Sequence, residues 1–268
     1  MEAYVMDAFS ARVFGGNQAG VALPERELPD ALMQQVAAEF KHSETAFVRL
    51  EEDGSVTLRY FTPAGEVELC GHATVASFAL LRQLGRIGDG DVTAHTKAGE
   101  LSVTVRGGTV WMDMAAPRLL RELGEDEWAA FYEAYGLTTA DRPEGLTPAI
   151  VSTGLADVML PVRDHDTLMR AVQNEAAVTA LSKKYDVTGV HMFCLGDGCT
   201  AYCSNYAPLY DIPEECATGT SNGALTYYLY LRGLVQPEVE NVFLQGEHMN
   251  RPSEIRSRLY EQDGAVNV

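Results

Sequence analysis

Two cysteines in this chain stand in matching company. Glu68–Gly85 reads ELCGHATVASFALLRQLG, and Glu215–Leu231 reads ECATGTSNGALTYYLYL. In each, an acidic residue comes one or two positions before a Cys, Gly and Thr follow, and an apolar run begins. A Cys at a helix N-terminus meets unpaired N–H groups and the positive end of the helix dipole, both of which favour its thiolate. Cys70 and Cys216, set on opposite sides of one carbon, would do what a single group cannot. A thiolate would remove a proton from one face while a thiol delivers one to the other, inverting a centre beside a carboxylate without metal or cofactor. The helix-terminal N–H groups would stabilise charge developing on that carboxylate, so Gly71, Gly219 and Thr220 are candidates to bind substrate. The competing reading is that both cysteines are small buried hydrophobes.

The elements that must position these residues also come in pairs. VTLRYFTP at Val56–Pro63 and CTAYCSNYAP at Cys199–Pro208 read as extended segments closed by proline ahead of each Cys. SETAFVRL at Ser43–Leu50 and GVHMFCL at Gly189–Leu195 read as strands leading into turns at EEDG and GDG. Before them, Pro29–Phe40 and His165–Leu181 carry apolar residues at three- and four-residue spacing and read as helices. Gly85 and Gly233 follow the apolar runs as helix stops. Gly99–Val105 is a strand with a weaker counterpart at Ile255–Tyr260. The chain is therefore expected to hold two similar α+β halves, 1–115 and 116–268, joined near AAPRLL at Ala115–Leu120, with the last strand a candidate to return to the first half. Pseudo-twofold symmetry would bring the two helix N-termini to a shared cleft suited to an anion.

Composition narrows the partners. With 268 residues, 46% hydrophobic, the chain can bury a substantial core. A net charge of −18 argues against nucleic acid or an anionic membrane as partner. No run of about 18 apolar residues is present, the N-terminus MEAYVMDAF has no signal-peptide pattern, and five cysteines do not suggest a disulfide framework. A cytoplasmic setting is expected. No metal is expected either: Cys194, Cys199 and Cys203 lack the paired C-x₂-C spacing of common zinc sites. Neither GxGxxG nor GxxxxGK[ST] is present, so Gly15 and Gly16 form no nucleotide loop.

Segments in order along the chain resemble the phenazine-biosynthesis isomerases (PhzF-like proteins), which share the diaminopimelate epimerase fold. They are MDAFSARVFGGNQAGVAL at Met6–Leu23, HSETAFV at His42–Val48, RYFTPAGEVELCGHATVAS at Arg59–Ser77, APLYDIPEECATGTSNGALTYYL at Ala207–Leu229 and FLQGEHMNRPSEI at Phe243–Ile255. The resemblance implies two pseudo-symmetric domains, each a β-sheet barrel wrapped around a central helix, a cofactor-independent site between them and a homodimer. It also implies that Glu44, in the SETAF-type motif, is the acid/base and that His72, in the GHAT motif, supports it. In the family's DPATGSA-type motif, Glu215 takes the aspartate position, Cys216 the proline position and Thr220 the serine position. Diaminopimelate epimerases and proline racemases resemble one another in a cysteine pair, and CGH at Cys70 with CATGTS at Cys216 is similar to it. Asn17 in GGNQAG is a candidate to offer its amide to substrate, with a left-handed turn residue as the alternative.

The first expectation is thus an isomerase of a small carboxylate-bearing molecule, with Glu44 moving the proton. The second is a two-cysteine racemase or epimerase of an amino or imino acid. A non-catalytic member with a binding or partner role is the third.

Overall fold

The computed structural model describes residues 1–10 and 12–268, and they fall into two units, Met1–Asp113 and Met114–Val268. In the first, β1 (Glu2–Ala8), β2 (Asn17–Leu23), α1 (Asp30–Phe40), β3 (Thr45–Leu50), β4 (Val56–Phe61), β5 (Glu66–Val67), α2 (Gly71–Gln83), β6 (Gly90–Thr96), β7 (Gly99–Arg106) and β8 (Thr109–Met112) follow one another. The sheet runs β1-β2-β3-β4-β6-β7-β8, with β5 paired to β4. α2 touches β1, β2 and β3 and also β8, so both ends of this sheet close on one helix. That explains why α2 is apolar on nearly every side: Ala73, Ala76, Phe78, Leu80 and Leu81 are all buried.

The second unit contains β9 (Arg118–Glu122), α3 (Glu125–Glu133), β10 (Ala149–Ser152), β11 (Ala156–Pro161), α4 (His165–Met169), α5 (Glu175–Tyr185), β12 (Gly189–Leu195), β13 (Ala201–Ala207), β14 (Ile212–Glu215), α6 (Gly219–Leu231), β15 (Glu240–Gln245), β16 (Ser253–Arg258), β17 (Tyr260–Gln262) and β18 (Ala265–Asn267). Its sheet runs β16-β15-β13-β12-β11-β10-β9, with β14 paired to β13. α6 touches β9, β10 and β11 at one end and β16 at the other.

The internal duplication reappears as topology. β2 and β3 pair in parallel, as do β11 and β12; β4 pairs in parallel with β6, and β13 with β15. Each sheet therefore has the same crossovers, with a short strand (β5 or β14) leading into the wrapped helix. Both wrapped helices end alike. Gly85 and Gly233 each take φ +69, and the N–H of the next residue returns to a carbonyl in the last turn, Arg86 to Leu81 and Leu234 to Leu229. This is the glycine-terminated helix end foreseen at both positions.

Two expectations need correction. His165–Leu181 is two helices rather than one. Asp164 caps α4 by accepting from the Thr167 N–H, and Asn174 starts α5 by accepting from the Ala177 N–H. Between them the backbone turns away from helical pairing, as Val172 and Asn174 donate to the carbonyls of Tyr135 and Ala134. The last strand, β18, pairs with β17, and the Val268 carbonyl accepts from the Met114 N–H, all within the second unit. No helix among the described residues is long and apolar enough to cross a membrane.

The second unit buries titratable groups. His191 on β12 is fully buried and contacts Asn205 Oδ1 through Nδ1 at 3.0 Å. Burial pushes its pKa from the ordinary 6.5 down to about 4, with Asn205 and Asn222 pulling weakly upward. Between those two values the unfolded chain takes a proton that the folded chain refuses, so stability falls as pH drops through the window. The shift corresponds to about 3 kcal/mol. Asp157, hydrogen-bonded to Ser221 Oγ at 2.6 Å, is pushed up by burial and acts with the opposite sign, favouring the fold when protonated. Urea unfolding at a series of pH values should show a loss between 6.5 and 4 that His191→Gln reduces; equal slopes would exclude His191 as the source.

Candidate active site

Glu44, Cys70 and His72 converge through a short β ladder. Thr45 pairs with Phe61 across β3 and β4, and Tyr60 pairs with Val67 across β4 and β5. Glu44 precedes the first of these strands, and Cys70 follows the last. β2 fixes the entry: the Gly20 N–H donates to the Glu44 carbonyl at 3.0 Å. Gly20 has no room for a Cβ, which would lie 2.8 Å from Thr45 Oγ1 and 2.9 Å from the Phe40 ring.

The three side chains form one cluster. Glu44 Oε2 lies 3.4 Å from His72 Nε2, and Cys70 Sγ lies 3.5 Å from His72 Nδ1 and 3.9 Å from Nε2. Cys70 is the residue before the first helical turn of α2, as expected, and His72 is in that turn. Both are buried, whereas the Glu44 side chain keeps 19% of its surface exposed. Glu44 Oε2 is shielded from water and makes no aligned hydrogen bond. Leaving a buried polar atom unmatched costs about 1–3 kcal/mol, more when it is charged, so such an atom calls for a reason. Burial pushes the His72 pKa below its ordinary 6.5, while the neighbouring Glu44 carboxylate pulls it back up. A neutral imidazole facing a carboxylate can steady it without neutralising it.

The matching region of the second unit is built by Gln245. Its Nε2 donates to the Glu215 carbonyl at 2.7 Å and to Thr218 Oγ1 at 3.2 Å, and its Oε1 accepts from Asn222 Nδ2 at 2.8 Å and the Thr218 N–H at 3.3 Å. Glu215 ends β14, and its carboxylate accepts from Thr218 Oγ1 at 2.5 Å. Gly246, at φ +85, lets the chain pass: a Cβ there would meet the Arg251 carbonyl oxygen and would lie 2.7 Å from that of Cys216.

Here the sequence reading is again adjusted. α6 starts at Gly219 with Thr218 as its N-cap, so Cys216 sits before the cap instead of heading the helix. Its thiol is buried, and burial pushes its pKa upward, against an opposing pull from Arg251. That is the reverse of the lowering expected from a helix terminus. Thr220 lies in the first turn of α6, where its carbonyl accepts from Thr153 Oγ1 at 2.8 Å. In the first unit, Gly71 is the first residue of α2. Asn17 is buried at the start of β2 opposite Ala8, and Gly16, at φ +73, takes the left-handed conformation in its place. All five cysteines are free thiols, and burial pushes Cys194 up to about 12. The cluster of metal-ligating side chains found among the described residues is Glu44, Cys70 and His72, not the Cys194–Cys203 group.

Gln245, Thr218, Asn222 and Arg251 were not singled out from sequence. The only signal was the FLQGEHMNRPSEI segment as a whole, which does not say that its glutamine is fully buried.

Comparison with known proteins identifies the family and the fold. The sequence profile of the phenazine biosynthesis-like proteins (PhzC-PhzF) matches residues 6–268. An uncharacterized isomerase, YddE, of Escherichia coli (strain K12) is 32% identical over 272 residues, covering 100% of this chain and 89% of that protein. The crystal structure of the Bacillus anthracis phenazine biosynthesis protein of the PhzF family has a TM-score of 0.89 at 25% identity, covering 100% of this chain and 94% of that one. A Pseudomonas aeruginosa structure described as a predicted epimerase has a TM-score of 0.77 at 27% identity, covering 99% and 93%. With its profile match spanning nearly the whole sequence and relatives named isomerases, this chain belongs to the phenazine biosynthesis-like protein family and is an isomerase.

Proposed function

We propose that the chain isomerises a small carboxylate-bearing substrate by moving a proton through Glu44, without a cofactor. The observation that carries this reading is the Glu44 carboxylate. One of its oxygens is buried and lacks a hydrogen bond, it faces the neutral-leaning His72 at 3.4 Å, and part of the group still reaches the surface. A general base needs a lone pair not already committed, and a partner that orients it without taking its proton. His72 is that partner, and its own position is set by the first turn of α2. A homodimer is proposed on the family resemblance alone, and a cytoplasmic setting on the cysteine composition.

The two-cysteine reading has its own support, since each thiol has a partner that could help it ionise: His72 beside Cys70, and Arg251 acting on Cys216. Proton exchange separates the two. Amino, imino and unsaturated carboxylates would be incubated with the enzyme in deuterium oxide and followed by proton NMR for washout of the hydrogen beside the carboxylate. If Glu44 carries the proton, Cys216→Ser should exchange within about tenfold of the wild type. A fall of about 10²–10⁴-fold, the usual worth of an acid/base group, would transfer the role to the cysteines. Absence of washout with every compound would remove the support for both.

A further inference from the structure

The Glu44–Cys70–His72 cluster holds one oxygen, one sulfur and one nitrogen donor, all within 4.8 Å of one another. This is the mixed donor set that borderline divalent cations prefer, zinc above all. In a tetrahedral site with bonds of about 2.3 Å to sulfur and about 2.0–2.1 Å to nitrogen and oxygen, neighbouring donors stand about 3.3–3.6 Å apart. His72 Nε2 already lies 3.4 Å from Glu44 Oε2 and 3.9 Å from Cys70 Sγ. Cys70 Sγ lies nearer to Nδ1, at 3.5 Å, so its side chain must turn about Cα–Cβ and carry the sulfur to the Nε2 side by about 1.5–2 Å to complete the spacing. The oxygen aimed into the cluster is the one without a hydrogen bond. The Glu44 side chain keeps 19% of its surface exposed, so the cluster lies next to the surface.

We propose that Glu44 Oε2, Cys70 Sγ and His72 Nε2 together bind one zinc-class divalent cation, leaving a fourth position to water. On binding, Cys70 gives its thiol proton to solvent, so that thiolate and carboxylate balance the ion's two charges. The same atoms would serve proton transfer, so the bound ion acts as an inhibitor of that chemistry. Binding itself does not depend on Glu44 being the base.

The other histidine–carboxylate pairs among the described residues, His95 with Glu100 at 3.5 Å, His165 with Glu247 at 2.7 Å and His248 with Glu214 at 3.3 Å, supply no sulfur donor in these contacts. That difference makes cobalt(II) a suitable probe, because only a thiolate ligand gives a sulfur-to-cobalt charge-transfer band in the near ultraviolet. The metal-free full-length chain titrated with cobalt(II) should develop this band to one equivalent, and zinc should displace it. Cys70→Ser should abolish the band and Cys216→Ser should keep it. Glu44→Gln should weaken zinc binding by more than the roughly 10–100-fold typical of losing an outer-shell partner. Cobalt binding without the band, or a band that survives Cys70→Ser, would overturn the proposal. A second measurement uses the wild type alone, in case that variant does not fold. Zinc should slow iodoacetamide labelling of Cys70, and labelling at an unchanged rate with zinc in excess would equally overturn it.

Discussion

Glu44→Gln is expected to cut the proton-exchange rate by about 10²–10⁴-fold while the melting temperature holds or rises. The two halves of this result have one cause. A glutamine has the shape of the glutamate but can neither take up nor release a proton in the working pH range, so the chemical step loses its acid/base. The stability half follows from the carboxylate oxygen that is buried without a hydrogen bond. A charge left partly unsolvated opposes folding, and a neutral amide in its place removes that penalty. A side chain retained only for structure would behave in the opposite way, lowering the melting temperature and losing activity only through unfolding. Glu44→Asp supplies a finer test. It keeps the charge but withdraws the carboxylate by one methylene, and a misplacement of about 1 Å can cost about 10²-fold. Exchange by Glu44→Gln within tenfold of the wild type, measured on folded protein, would rule out Glu44 as the acid/base.

The duplication and the first cluster differ in how far the sequence reveals them. Repeated apolar runs ended by Gly85 and Gly233, preceded by segments closed at Pro63 and Pro208, are local signals, and the topology repeats with them. Cys70 and His72 are close because they are two residues apart at a helix start. Glu44 joins them only through strand pairing, which no local spacing encodes; the motif resemblance named it instead. The break between α4 and α5 was hidden for a related reason. Met169 and Val172 continue a helical apolar spacing, but the backbone there is claimed by carbonyls of the segment after α3. In the second unit, His191, Asn205, Asn222 and Gln245 are polar residues at fully or nearly fully buried positions. Polar residues are ordinarily read as solvent-facing. Here His191 pairs with Asn205 and Asn222 with Gln245, while His191 Nε2 and Asn222 Oδ1 stay unmatched, and partners distant in sequence leave no periodic trace.

That interior network leads to the other large effect. Gln245→Leu keeps side-chain bulk near its original size and removes both ends of a double bridge: donation to the Glu215 carbonyl and Thr218 Oγ1, and acceptance from Asn222 Nδ2 and the Thr218 N–H. Asn222 retains the Thr218 carbonyl at 2.9 Å, but the Glu215 carbonyl and the Thr218 N–H lose the contacts described. At about 1–3 kcal/mol for each buried group left unmatched, the second unit should lose about 3–5 kcal/mol in urea unfolding. The damage should also be local before it is global. The backbone from Glu215 to Thr218 is held at both ends by this one amide, and Cys216, buried between them, would be released to solvent more often. Iodoacetamide should therefore label Cys216 at least about tenfold faster under native conditions, following the greater open population. Cys70, which contacts His72 in the first unit, should label at its wild-type rate. A leucine variant that unfolds as a whole would speed labelling of both cysteines together, and one that leaves Cys216 as protected as in the wild type would show that Gln245 does not hold this loop.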